Sequence, residues 1–92
     1  MYRIIDGRSS GKTSRLMLLA KENNTTIACS NPNAMRRKAY SYGITGIDFI
    51  SYNELFNTEP NSNDGVFIDE IEQFLSYALN SKILGYSLTN ED

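Results

Sequence analysis

Asp6-Gly7-Arg8-Ser9-Ser10-Gly11-Lys12-Thr13 lies between a short apolar run, Tyr2 to Ile5, and a segment of helical periodicity that begins at Lys12. The run before it reads as a buried strand bounded by Asp6-Gly7. After it, Leu16, Leu19 and Ala20 recur on one helix face, widened by Met17 and Leu18. A glycine-serine loop in this position aims several backbone N–H groups at one point. The helix that follows starts with amides that have no intrahelical partner and with the positive end of its dipole. Together these make an anion site suited to phosphate groups. Glycine permits close backbone approach and positive φ, and the Lys12 ammonium adds a point charge.

The elements that follow alternate. The first helix is expected to stop near Glu22-Asn23-Asn24. Thr25 to Cys29 is β-branched and apolar and predicts a second strand. Ser30-Asn31-Pro32-Asn33 reads as a turn and helix start, with Pro32 suited to an early helical position. A helix is expected over Ala34 to Tyr42, with Gly43 as its terminator. Ile47 to Ser51 predicts a third strand, and Asn53 to Phe56 a single helical turn. Residues 57–65 have loop composition. Val66 to Ile68 predicts a strand ending in Asp69-Glu70. Ile71, Phe74, Leu75 and Ala78 have helical spacing, and Lys82 to Ser87 reads as a final strand. Strands alternating with helices imply an α/β domain with a mainly parallel, helix-covered sheet. The 92 residues form a single domain over 1–92, with no internal repeat and no linker.

The loop resembles the Walker A motif of P-loop NTPases. The usual pattern has glycine where Asp6 stands, and here Gly7 follows one place later. The resemblance implies that Gly7, Arg8, Ser9, Ser10, Gly11, Lys12, Thr13 and Ser14 contact a bound nucleotide, ATP or GTP. Lys12 would touch the β- and γ-phosphates and Thr13 would place its hydroxyl on Mg²⁺. Val66-Phe67-Ile68-Asp69-Glu70 resembles a Walker B motif with its catalytic glutamate. In a parallel sheet the carboxyl ends of the strands face the ligand. Asp69 would join Thr13 as a ligand to Mg²⁺, which prefers hard oxygens. Glu70 would polarise the attacking water, with Lys12 its partner in catalysis. The alternative for Asp69-Glu70 is plain capping of the helix that follows.

The same resemblance implies the additional-strand branch of P-loop proteins, which includes AAA+ proteins, RecA-like ATPases and helicases. The expected fold is a three-layer α/β domain with four or five mostly parallel strands. It looks like a trimmed core, similar to short P-loop proteins carried by bacteriophages. Ala28-Cys29-Ser30-Asn31-Pro32-Asn33-Ala34-Met35-Arg36-Arg37 is similar to the second-strand region of superfamily 1 helicases, and Ile50-Ser51-Tyr52 with Leu55-Phe56 to the segment after it. With no second motor domain in these residues, translocation on nucleic acid is not expected. Thr89 and Asn90 resemble the polar sensor of the γ-phosphate, or are simply a frayed tail.

Composition bounds the partners. Apolar residues make up 40% and charged residues 22%, as in folded globular domains. The net charge of −2 argues against a broad nucleic-acid face. Arg36-Arg37-Lys38 is the basic cluster, suited to nucleic-acid phosphates or a subunit interface, or to an ordinary solvated helix face. Arg8 and Arg15 flank the loop, as nucleotide contacts or as solvated side chains. One cysteine, Cys29, and no histidine exclude an internal disulfide and a Cys/His zinc site. Cys29 is expected to be a buried strand residue, and most of the six tyrosines core or half-buried. The first residues lack the long apolar region of a signal peptide, no run is long enough to cross a bilayer, and a lone thiol suits a reducing cytoplasm. The expected activity is Mg²⁺-dependent nucleotide binding with slow hydrolysis. Two alternatives stand beside it: a P-loop module that docks on a host or defence protein or on a second copy, and a nucleic-acid accessory.

Overall fold

The computed structural model of the chain describes residues 3–4, 11–57 and 65–89. Its elements run α1 (Lys12–Glu22), β1 (Ile27–Cys29), α2 (Pro32–Ser41), β2 (Phe49–Ser51), α3 (Tyr52–Asn57), β3 (Phe67–Ile68) and α4 (Ile71–Leu79). The three strands form one parallel sheet in the order β2-β1-β3. Ile27 lies opposite Phe49 and Phe67, and Ala28 opposite Ile50 and Ile68. The architecture is therefore mixed α/β with a small parallel sheet.

β1 is central, and all three of its residues are buried. A strand covered on both faces needs a continuous apolar run, which Ile27-Ala28-Cys29 supplies. Because side chains alternate along a strand, Ile27 and Cys29 share a face with Phe49. Against that face pack Met17 and Ala20 from α1 and Met35 and Ala39 from α2, forming the core. A smaller aromatic cluster joins α3 to α4: the Tyr52 ring meets Phe74 edge-on at 5.5 Å and lies 6.3 Å from Tyr77.

Local chemistry sets the helix ends. Asn31 caps α2 by accepting a hydrogen bond from the Ala34 amide at 3.1 Å, and Pro32 opens the first turn. At its other end Gly43 adopts φ 74°, and the Gly43 and Ile44 amides close on the Tyr40 and Ala39 carbonyls at 3.0 and 2.9 Å. The positive φ suits glycine, and Ile44 packs onto the core. Asn24 ends α1 in the same way, at φ 52°. Ser51 and Glu54 form a reciprocal box at the start of α3: the Glu54 amide donates to Ser51 Oγ at 3.0 Å and the Ser51 amide to Glu54 Oε1 at 3.1 Å.

Two expectations need correction. Lys82 to Ser87 forms no strand and runs as irregular chain. Leu84 is 90% exposed, and Tyr86 and Leu88 are also exposed, so the apolar side these three share is uncovered and no ladder holds the segment. Among the described residues the sheet has three strands. Of the strand expected over Tyr2 to Ile5, Tyr2 and Ile5 lie outside the described residues; Arg3 and Ile4 stand in no strand, and Arg3 donates to the Thr89 carbonyl at 3.2 Å. The tyrosines are also more exposed than expected. Tyr40, Tyr42, Tyr77 and Tyr86 lie at the surface and Tyr52 alone is buried among the described ones. Surface acceptors explain two of them: Tyr77 donates to Asn53 Oδ1 and Tyr86 to Glu72 Oε1. Among the described residues no helix is long and apolar enough to cross a membrane.

Candidate functional site

α1 begins at Lys12, immediately after Gly11. Gly11 adopts φ 81°, a left-handed conformation that favours glycine. The helix has no side-chain cap and no acidic residue in its first turn. A helix start of this kind, with leading amides and the positive end of the dipole, is one an anion can satisfy. The Ser14 hydroxyl bonds back to the Gly11 carbonyl at 2.9 Å and tightens this turn. Thr13 and Ser14 are half-buried beside Lys12. Asp6, Gly7, Arg8, Ser9, Ser10 and Asn90 lie outside the described residues.

The acidic pair arrives by a different route. The ladder between β1 and β3 runs past the last strand residue: the Phe67 amide bonds to the Thr26 carbonyl at 3.0 Å and the Asp69 amide to the Ala28 carbonyl at 2.9 Å. Asp69 is therefore fixed at the carboxyl end of β3. Glu70 then turns the chain into α4 in a left-handed conformation, φ 58° and ψ 72°. For a residue with a Cβ this costs about 1–3 kcal/mol, and such strain clusters at functional sites. Glu70 occupies the N-cap position, yet its side chain makes no capping bond. Its carboxylate instead meets the Lys12 ammonium, Nζ to Oε1 at 3.5 Å. The capping alternative for Glu70 is set aside by this geometry. Lys12 and Glu70 come together; Thr13 and Ser14 follow Lys12 on the same helix turn, and Asp69 precedes Glu70.

The electrostatics of Asp69 are unfavourable to its charge. Burial and then the neighbouring Glu70 carboxylate push its pKa above the usual value, and the Lys38 and Lys12 ammonium groups offset this only in part. Burial leaves the ionised Asp69 carboxylate poorly solvated, a penalty that a bound cation would relieve. Among the described residues no group of three or more Cys, Asp or Glu side chains gathers into a metal site. Mg²⁺ does not require one: it is commonly held by one or two protein oxygens with phosphate and water completing the shell. The Thr13 hydroxyl and the Asp69 carboxylate are hard oxygen donors of the right kind.

Two residues of this neighbourhood escaped the sequence reading. Tyr52, at the first position of α3, donates its hydroxyl to the Asp69 carbonyl at 2.6 Å and lies 3.3 Å from the Glu70 carbonyl. Burial, and then the Asp69 charge, push its pKa to about 12, so the hydroxyl stays a donor. Its signal was a polar-tipped aromatic directly after the strand end at Ser51. Lys38, read only as part of the basic cluster, acts on Asp69 electrostatically. Arg36 of that cluster is engaged structurally, donating to Asn33 Oδ1 at 2.7 Å and to the Phe49 carbonyl at 3.1 Å. Cys29 is 1% exposed, and burial raises its thiol pKa, as for an inert core cysteine.

Compared with protein-family models, with curated proteins and with solved structures, the chain matches none.

Proposed function

We propose that this chain is a P-loop nucleotide-binding domain of the additional-strand type, which binds ATP or GTP with Mg²⁺ and hydrolyses it slowly. The observation that carries the reading is the meeting of Lys12, at an uncapped helix start, with Glu70, at the carboxyl end of a parallel strand. In this reading the amides of residues 7–13, with Arg8 and the hydroxyls of Ser9, Ser10 and Ser14 around them, cradle the phosphates.

Lys12 serves two anions in turn. Without nucleotide it neutralises Glu70. With nucleotide it moves to the β- and γ-phosphates, which frees the Glu70 carboxylate to accept a hydrogen bond from water. The water oxygen attacks the γ-phosphorus as the bond to the β-phosphate oxygen breaks, releasing the nucleoside diphosphate. Thr13 and Asp69 would hold Mg²⁺, which when bound neutralises phosphate charge. Arg36 is occupied by Asn33 and Phe49, so the arginine that accelerates such reactions would come from a neighbouring protein, and unassisted turnover is slow.

The test is calorimetric titration of ATP and GTP with Mg²⁺, followed by phosphate release, on wild type, Lys12→Ala and Glu70→Gln. The expected result is binding weakened in the lysine variant and turnover lost, with binding kept, in the glutamine variant. Binding without release in the wild type reduces the domain to a docking module. A folded protein that binds neither nucleotide refutes the reading. Salt-sensitive DNA binding weakened by Arg37→Ala would favour the nucleic-acid accessory instead.

A further inference from the structure

Glu70 sits in a backbone conformation that glutamate does not choose by itself, so something must hold it there. Its carbonyl takes the ordinary helical bond from the Phe74 amide at 3.1 Å. The other grip comes from Tyr52. That side chain is 6% exposed and lies between β2 and the turn that joins β3 to α4. One hydroxyl carries one proton. The 2.6 Å contact to the Asp69 carbonyl is therefore the principal bond, and the 3.3 Å approach to the Glu70 carbonyl is its weaker shared arm.

The ring holds the far side of the same turn. It packs edge-on against Phe74 at 5.5 Å and lies 6.3 Å from Tyr77, both on α4. The tyrosine itself is fixed from behind by the Ser51–Glu54 box, which sets the first turn of α3. One side chain thus clamps the residue before Glu70, Glu70 itself and the helix after it.

We propose that Tyr52 is a positioning residue for the nucleotide site: through its hydroxyl it locks the Asp69–Glu70 turn so that the Glu70 carboxylate faces Lys12 and the attacking water. Tyr52 does not touch the phosphates. It acts on the direction of Glu70, and its bond to Asp69 is to the backbone carbonyl. The inference rests on the nucleotide-binding reading for its catalytic consequence, but its geometric part stands without nucleotide.

The experiment compares Tyr52→Phe, which removes only the hydroxyl, with Phe74→Leu, which loosens the ring packing and keeps the hydroxyl. Two readouts are taken on each. The first is nucleotide-free NMR at one neutral pH: the Glu70 backbone shifts and three-bond coupling report its left-handed φ, and the Lys12 side-chain resonances report the ion pair. The second is Mg·ATP affinity and phosphate release. In Tyr52→Phe the left-handed signature and the Lys12 shift are expected to be lost. Turnover should fall about ten- to a hundredfold while affinity changes less than about threefold, as for a misplaced catalytic group. Phe74→Leu should keep all of these, even if its melting temperature drops further.

Unchanged NMR signatures in Tyr52→Phe overturn the proposal, as does equal loss in both variants. If the wild type binds no nucleotide, the functional reading fails separately, and the NMR comparison alone decides whether Tyr52 holds the turn.

Discussion

The Lys12 ammonium and the Glu70 carboxylate meet at 3.5 Å, one opening α1 and the other at the N-cap of α4. The side chains are 31% and 44% exposed. A pair this open contributes about 0–1 kcal/mol. Its glutamate meanwhile carries the strain of positive φ. The arrangement makes little sense as a stabilising device. It makes sense if an arriving anion takes the lysine and leaves the carboxylate free.

Replacing Lys12 by alanine should therefore barely affect stability, by less than about 1 kcal/mol in denaturant unfolding. Nucleotide affinity should fall about ten- to a hundredfold, the worth of a charge-assisted hydrogen bond. Calorimetry beside urea melts of the same samples checks both.

Glu70→Gly removes the carboxylate and relieves the left-handed backbone. Release of the strain outweighs loss of the exposed pair, for a net gain of about 1 kcal/mol. In a domain of this size that raises Tm by about 4–8 °C. Turnover should disappear from the same protein. A lower Tm would show that the turn is not strained.

Asp69→Asn addresses charge. The folded-state pKa of Asp69 lies above its ordinary value of 3.8. The folded protein thus favours the protonated acid, and this contribution to stability is full below the ordinary pKa and lost as pH rises through the raised one. At neutral pH the ionised carboxylate opposes folding, so the neutral amide should raise Tm. The advantage should shrink as pH falls through the raised pKa towards 3.8. Melting curves of both proteins across this range give the comparison. Mg²⁺-dependent nucleotide binding should weaken in the variant above the raised pKa, where the wild-type carboxylate is ionised.

Asn31→Ala serves as a remote control. Loss of the bond from the Ala34 amide should cost about 1 kcal/mol, the usual value of an N-cap. Once the protein is folded, nucleotide affinity should be unchanged. A parallel loss of affinity would tie the start of α2 to the site.

Much of this was readable in the chain. Thr25 to Cys29, Ile47 to Ser51 and Val66 to Ile68 each contain an observed strand, because β-branched and apolar runs have few other places to go. Gly43 announced one end of α2 through its backbone freedom at positive φ, and Asn31 the other through its capping side chain. Lys82 to Ser87 misled because an apolar run becomes a strand only with a partner beside it. The Lys12–Glu70 pair was legible only as two motifs brought to one sheet edge. The roles of Tyr52 and Lys38 were not legible, since each depends on the packing of helices far apart in sequence. The Ser51–Glu54 box has the spacing such boxes require, yet the sequence reading missed it.

The burial of Cys29 has a practical side. The residue is 1% exposed in the middle strand, with its thiol proton held by burial. An alkylating reagent cannot reach it until the sheet opens. The protein's single thiol is therefore a built-in clock for opening of the core. The rate at which it becomes labelled reports how often the centre of the molecule comes apart, and a bound ligand that holds the sheet closed should slow that clock.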